Sequence, residues 1–223
     1  MRHYEGAIFD LDGTLLDSMN VWRRIDVEFL ARRGFEVPGD YMEAITPLGA
    51  GAAADYTIAR FGLKERPEDI IEEWLSMARE AYAFTVPLKP SVKAYLEQLK
   101  RLEIPIAAAT SSERELILPA LERNGILPYF DAIVTVREVS RGKGHPDIYE
   151  RAAGILNRAP EYCVVYEDII EGIRGANRGG FYTVGVYDPE SDFSREAIKR
   201  EADHYINDFG ELLERHRESF AFS

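Results

Sequence analysis

The stretch Gly6-Ala7-Ile8-Phe9-Asp10-Leu11-Asp12-Gly13-Thr14, at positions 6–14, places two acids and a glycine directly after a short apolar run. An apolar run without polar alternation is typical of a strand buried on both faces of a parallel sheet. Ligands of open α/β sheets bind outside the carboxyl ends of the strands. The stretch therefore predicts a central strand with Asp10 and Asp12 at a ligand site.

Four further runs of the same kind follow along the chain, at Ile104–Ala109, Ala132–Val136, Tyr162–Tyr166 and Tyr182–Tyr187. Helical patterns lie between most of them. Ser112 and Glu115 have the spacing of a capping box at the start of one such helix. The alternation predicts an α/β fold with a doubly wound (Rossmann-like), mostly parallel sheet.

Residues 17–86 interrupt this alternation, because they contain no convincing strand pattern. Helical spacing there predicts two apolar faces, made of Trp22, Ile25, Phe29 and Leu30 and of Ile70, Ile71, Trp74, Leu75 and Ala78. We expect a core domain formed by residues 1–16 and 87–223, with residues 17–86 inserted after the first strand as a helical cap domain.

Composition excludes several classes of protein. The 223 residues are 46% hydrophobic and 30% charged, which indicates a globular chain, and the net charge of −12 disfavours nucleic-acid binding. A single cysteine, Cys163, rules out an intramolecular disulfide or a cysteine-rich zinc site. Without a signal peptide or an apolar run of about 18 residues, we expect a cytoplasmic protein with no membrane partner, as a monomer or weak homodimer.

The predicted strand ends carry further chemistry: Thr110-Ser111-Ser112, Lys143 and Glu167-Asp168. Clustered carboxylates repel one another unless a cation binds, and oxygen ligands favour Mg²⁺ over Zn²⁺. A hydroxyl and a lysine can hold phosphate oxygens, and an aspartate can attack phosphorus. A second acid can protonate the leaving oxygen and then activate water.

These motifs, taken together, resemble the haloacid dehalogenase-like hydrolase superfamily, in the branch with a helical cap after the first strand that contains phosphatases and beta-phosphoglucomutase-like enzymes. Phe9-Asp10-Leu11-Asp12-Gly13-Thr14-Leu15-Leu16-Asp17-Ser18, at 9–18, is similar to its first motif almost letter for letter. Residues 110–112 resemble the second motif, 143–149 the third and 166–176 the fourth. The resemblance spans about residues 4–208.

The resemblance implies a role for each matching residue. Asp10 would be the nucleophile and a Mg²⁺ ligand, and Asp12 the general acid and base that also offers its backbone carbonyl to Mg²⁺. Thr110, with the Ser111 backbone, would bind the phosphoryl group, and Lys143 would neutralise its charge and orient Asp10. In the fourth motif, Asp168 would bind Mg²⁺, and Glu167 would bind it directly or through an intervening group.

Departures from the family pattern are few. Ile169 stands where many relatives have a serine, and Gly144 or His145 stands where they have a proline. Relatives that cleave carbon–halogen or carbon–phosphorus bonds generally lack an acid at the position of Asp12. The resemblance therefore implies cleavage of an oxygen ester.

We expect a phosphatase that acts on a small phosphorylated metabolite through an aspartyl-phosphate. A sugar-phosphate mutase is the first alternative, but mutases of this branch carry a histidine near the position of Trp22 and an arginine near 51–53, and this chain has neither. The apolar predicted cap turn at 44–52 favours a small or weakly charged leaving group. An inactive binding module is a second alternative. A dinucleotide site at 49–54 is a third, although its G-x-G-x-x-A pattern follows no strand.

Overall fold

The computed structural model describes residues 4–45, 48 and 50–213. Two compact units are present: one comprises the described chain through Met19 and from Val86 onward, and the other is Asn20–Thr85. Three residues of the predicted cap turn, Thr46, Pro47 and Gly49, lie outside the described residues, so neither that turn nor the 49–54 pattern is described as a whole.

The first unit is built on a six-stranded sheet in the order β3-β2-β1-β4-β5-β6. The strands are β1 (Gly6–Phe9), β2 (Ile106–Thr110), β3 (Ala132–Thr135), β4 (Cys163–Glu167), β5 (Tyr182–Val186) and β6 (His204–Ile206). All neighbouring strands pair in parallel, which confirms the predicted α/β class. The edge strand β6 was not predicted, because its three residues carry too short an apolar pattern.

Helices connect the strands and form the second unit. In chain order they are α1 (Val21–Ala31), α2 (Tyr41–Ile45), α3 (Ala50–Phe61), α4 (Pro67–Phe84), α5 (Val92–Arg101), α6 (Arg114–Arg123), α7 (Asp147–Ile155), α8 (Ile170–Arg178) and α9 (Arg195–Glu201). Among the described residues, none of these helices combines the length and the apolar character that crossing a bilayer requires.

The centre of the sheet is covered on both faces. On one face the ring of Phe9 stacks on Tyr166 of the neighbouring strand at 4.4 Å between centroids, and Tyr95 and Phe209 pack around this pair. On the other, Ile8 belongs to a cluster with the apolar stripe of α7. β1 and β4 are fully buried and adjacent. The chain continues from β1 to one half of the sheet and from β4 to the other, so the residues that follow these two strands lie side by side at the point where the halves diverge.

The helical unit has an apolar core between α1 and α4. The ring of Phe29 meets the edge of Trp74 at 5.4 Å, and Ile25 and Ile70 are buried. The predicted faces were partly wrong. Trp22 and Leu75 are exposed, because the residue before each of them takes the buried position. The buried apolar side chains are Val21, Ile25, Phe29 and Leu30 on α1, and Ile70, Trp74, Met77, Ala78 and Tyr82 on α4.

The two segments that link the units are hydrogen-bonded to each other. Leu16 and Leu88 form an antiparallel bridge. The amide of Asp17 donates to the carbonyl of Pro87 at 3.0 Å, and the amide of Lys89 donates to the carbonyl of Leu15 at 2.9 Å. The chain therefore leaves and re-enters the α/β unit at one place.

Candidate active site

Four charged side chains lie buried together at the carboxyl ends of the central strands. Asp10 follows β1, Glu167 ends β4, Asp168 comes next, and Lys143 lies in the loop before α7. Each is at most 7% exposed. The Lys143 ammonium donates to Asp10 Oδ1 and, at 2.6 Å, to Glu167 Oε1. The lysine thus joins residues from two neighbouring strand ends.

The three carboxylates form a set that fits a divalent cation. One ligand oxygen from each of Asp10, Glu167 and Asp168 lies within 4.8 Å of the others. Glu167 Oε2 is buried and has no hydrogen-bond partner within the described part of the chain. An all-oxygen donor set of this kind suits Mg²⁺ better than zinc.

The raised pKa values of Asp10 and Asp168 also indicate that this cluster lacks enough positive charge to keep its carboxylates ionised. Burial, followed by the charges of Glu167 and Asp168, raises the pKa of Asp10 well above its ordinary value, against the opposing effect of Lys143. Burial, together with the charge of Glu167, raises the pKa of Asp168 to about 7. Burial disfavours the charged form of Lys143, but the Asp10 and Glu167 carboxylates outweigh it and raise the pKa of its ammonium. A divalent cation would favour the ionised carboxylates.

Glycines let the backbone approach these charged groups. A Cβ on Gly13, whose φ of +82° already favours glycine, would lie 2.4 Å from Asp168 Oδ2. On α8, a Cβ on Gly172 would lie 2.4 Å from Glu167 Cδ, and one on Gly175 would lie 1.9 Å from the carbonyl oxygen of Lys143. The sequence therefore packs α8 directly against the lysine loop.

Neutral donors fix both Glu167, which ends β4, and Asp168, which follows it. The Thr14 hydroxyl donates to Asp168 Oδ1 at 3.2 Å, and the Ser191 hydroxyl donates to Asp168 Oδ2 at 3.0 Å. The hydroxyl of Tyr149, fully buried on α7, donates to Glu167 Oε1 at 2.8 Å.

Asp12 is held by two serines. Ser18 donates to its Oδ1 and Ser112 to its Oδ2, both at 2.7 Å. The predicted capping box of Ser112 and Glu115 was wrong: α6 begins at Arg114 after Glu113, and the Ser112 hydroxyl instead bonds to Asp12. The helix begins one residue later than the capping box requires, and the Ser112 hydroxyl donates to a carboxylate 100 positions away in the sequence.

The second predicted motif is hydrogen-bonded to Asp12. Thr110 ends β2, is fully buried, and accepts a hydrogen bond from the amide of Ser112 at 3.0 Å. Ser111 is exposed beside it. The tip of β2 therefore reaches Asp12 through Ser112, while Asp10, Lys143, Glu167 and Asp168 form the buried cluster.

Sequence reasoning missed Tyr149 and Ser191 as members of this site. Tyr149 ends the stretch 143–149 that resembles the third motif, but no role was predicted for it, although its place six residues after Lys143 was a usable signal. Ser191 lies 23 residues beyond Asp168 and has no motif around it.

Comparisons with known proteins show what the chain is similar to. The family profile described as haloacid dehalogenase-like hydrolase matches residues 4–180. The validoxylamine A 7'-phosphate phosphatase of Streptomyces hygroscopicus subsp. limoneus is 30% identical over 212 residues, 94% of this chain and 96% of that protein. Hexitol phosphatase A of Escherichia coli strain K12 is 31% identical over 189 residues, 83% of this chain and 84% of that protein.

One solved structure is similar to this chain over nearly its whole length. It is a Thermotoga maritima protein described as a beta-phosphoglucomutase candidate, with 25% identity and a TM-score of 0.84, and the match covers 96% of this chain and 99% of that one. The relatives thus have nearly the same length as this chain.

Proposed function

Since the chain belongs to the haloacid dehalogenase-like hydrolase family and is a phosphoric monoester hydrolase, we propose that its substrate is a small sugar or hexitol monophosphate. The proposed reaction uses Mg²⁺ and proceeds through a phosphorylated Asp10. The observation that carries the proposal is the buried contact of Lys143 with both Asp10 and Glu167, beside Asp168.

Asp10 is the proposed nucleophile because Lys143 fixes one of its oxygens. In the first step, Asp10 attacks phosphorus, the bond between phosphorus and the ester oxygen breaks, and the phosphoryl group is carried by the Asp10 carboxyl. The Lys143 ammonium lies where it can offset the added negative charge.

Asp12 is the proposed general acid and base. It gives its proton to the leaving ester oxygen in the first step. In the second step it takes a proton from the water that attacks phosphorus, and the Asp10–phosphate bond breaks to release inorganic phosphate. The Ser18 and Ser112 hydroxyls hold its two oxygens in place for both transfers.

Asp10, Asp168 and the backbone carbonyl of Asp12 are the proposed Mg²⁺ ligands, with Glu167 binding directly or through water. A bound divalent cation would supply electrostatic stabilisation to the phosphoryl oxygens and reduce the repulsion among the carboxylates. Thr110 and the Ser111 backbone are proposed to bind the phosphoryl group.

The substrate class is proposed from the relatives and from the inserted unit. The two phosphatases are named for a validoxylamine A 7'-phosphate and for hexitol phosphates. The sequence at 44–52 contains no basic residue, whereas the resemblance leads us to expect an arginine near 51–53 in a mutase. Both features favour a monophosphate over a bisphosphate.

The test is phosphate release from a panel of hexose and hexitol monophosphates, sugar bisphosphates and p-nitrophenyl phosphate, with Mg²⁺ and with EDTA. We expect monophosphates to be preferred and Asp10→Asn to lose at least about 10³-fold in kcat. Borohydride reduction of the quenched reaction should convert Asp10 to homoserine, as expected for an acyl phosphate.

Two outcomes would contradict the proposal. Undiminished turnover by Asp10→Asn would remove that residue as nucleophile. Conversion of one sugar phosphate into its isomer, dependent on a bisphosphate and without phosphate release, would identify a mutase instead.

A further inference from the structure

We infer that Ser191 is a positioning residue that holds the Asp168 carboxylate in the orientation needed to bind the divalent cation. The inference rests on the metal requirement of the proposed function. It starts from the hydrogen bond of 3.0 Å from the Ser191 hydroxyl to Asp168 Oδ2, both side chains being buried.

Asp168 is fixed on both of its oxygens. Thr14 donates to Oδ1 at 3.2 Å, Ser191 donates to Oδ2 at 3.0 Å, and the bare Cα of Gly13 faces the carboxylate. A carboxylate oxygen has two lone pairs, so one hydroxyl donor leaves each oxygen able to bind a cation. Two donors from separate segments restrict its rotation more than one could.

The turn that carries Ser191 is itself anchored by buried charge. Ser191 lies in a 3-10 helix, Pro189–Ser194, and Asp188 Oδ1 caps its start by accepting from the amide of Glu190 at 2.9 Å. The other Asp188 oxygen lies 2.8 Å from the Lys89 ammonium, with side-chain exposures of 1% and 10%. That ammonium also donates to the carbonyl of Tyr187 at 2.6 Å.

A buried ion pair is costly to desolvate and is poor evidence of a purely stabilising role. Here it fixes the turn from which a single hydroxyl reaches an acid of the site. The arrangement fits the general finding that groups bonded to metal ligands orient those ligands and tune their affinity.

Ser191 lies outside the part of the chain that the family profile matches. The profile match ends at residue 180, before the turn begins. Within the fourth motif, Ile169 occupies the position where the resemblance leads us to expect a serine. The segment after β5 thus supplies Asp168 with a hydroxyl donor that the fourth motif itself does not contain.

The experiment measures Mn²⁺ and Mg²⁺ binding by isothermal titration calorimetry on the substrate-free protein. We expect Ser191→Ala to weaken binding by about tenfold. The matched control is Ser194→Ala, which removes a hydroxyl of the same 3-10 helix that donates to the backbone carbonyl of Ser191. It should bind within about twofold of the unmodified chain, since Asp168 keeps its donor.

A kinetic measurement adds a second readout. Ser191→Ala should raise the Mg²⁺ concentration for half-maximal rate, while kcat at saturating Mg²⁺ recovers to near the original value. Ser191→Cys, nearly isosteric but a weak donor, should behave like the alanine variant. Thermal unfolding of each cation-free variant identifies any that is misfolded.

The outcomes separate this inference from the proposed function. If Ser191→Ala and Ser191→Cys bind the cation as tightly as the unmodified chain, the inference is wrong and the proposed function stands. Equal weakening by Ser194→Ala would also overturn it, because the integrity of the turn would then explain the loss. If the unmodified chain binds neither cation, the proposed Mg²⁺ requirement itself fails.

Discussion

The α/β unit and the helical unit differ in how deeply their charged side chains are buried. At the sheet ends, Asp10, Lys143, Glu167 and Asp168 are buried against one another. In the helical unit, ion pairs such as Arg33–Glu73, at 2.6 Å, lie partly exposed around an apolar core. Among the described residues of that unit, Asp26 alone is a buried charged side chain.

The difference indicates what each unit is built for. Burying ions usually brings little net stability, because desolvation offsets their attraction. A cluster of four such groups is therefore better explained by chemistry than by folding. The helical unit needs no such cluster, because its helices are held by contacts such as Phe29 on Trp74.

The largest expected effect follows from removing the positive charge of the cluster. Lys143→Met leaves Asp10 and Glu167 buried without a counter-charge, and in EDTA at neutral pH it should cost about 3–5 kcal/mol of unfolding free energy. Arg33→Met, in the partly exposed network, should cost about 1 kcal/mol. Urea unfolding measures both.

The Lys143 loss should shrink as the pH falls, because the orphaned carboxylates then take up protons. Equal losses in the two variants would mean that the two units do not differ in how charge is held.

A second contrast compares two glycines in helices. Gly175→Ala on α8 would force a methyl onto the Lys143 carbonyl, 1.9 Å away, and should destabilise by about 1–3 kcal/mol while lowering kcat. Gly51→Ala on α3 meets no atom within 4 Å among the described residues, and should be neutral or stabilise by about 0.5–1 kcal/mol. Thermal unfolding and phosphate release are the measurements. Intact activity in Gly175→Ala would show that the lysine loop moves freely.

Asp26, the buried charged residue of the helical unit, should make the stability of the chain depend on pH. Burial raises its pKa from 3.8 to about 7, so between these values the folded chain keeps a proton that the unfolded chain has lost. The resulting stability is present below about pH 4 and is lost as the pH rises through 7. Asp26→Asn should be more stable by about 1–2 kcal/mol near pH 8, after allowance for partial solvent screening, and should match the unmodified chain near pH 4. Urea titrations across this range would contradict the argument if the difference did not change with pH.

The smallest expected effect concerns the orientation of Asp12. Ser112→Ala removes one of its two hydroxyl donors and should lower kcat by about three- to tenfold, the cost of one hydrogen bond of about 1 kcal/mol. Ser76→Ala, an exposed serine on α4, is the control and should leave the rate unchanged. A reduction shared by both variants would show that the rate does not report on Asp12.

The strands and the principal charged residues were predictable because local patterns decide them. The buried run before Asp10 fixes the position of the first acid. Lys143 and Asp168 each come after a strand of the parallel sheet, so both were expected at the carboxyl ends of the strands. Their assigned roles remain predictions. The edge strand β6 escaped because three residues carry little periodicity.

The supporting hydroxyls could not be predicted, because they depend on contacts between distant segments. Ser112 has a capping-box neighbour in sequence, yet its partner is Asp12. Ser191 meets Asp168 only because the turn after β5 folds back over the end of β4. The prediction that Trp22 is buried was wrong for a simpler reason: helical spacing alone did not decide which of the two adjacent residues, Val21 or Trp22, faces inward.

The antiparallel bridge between Leu16 and Leu88 has a consequence for modularity. The chain leaves and returns through this one pair of hydrogen-bonded residues. In topology, the block between Leu16 and Leu88 is therefore equivalent to one long hairpin loop. We therefore expect that replacing the block between Asn20 and Thr85 leaves the register of the strands unchanged.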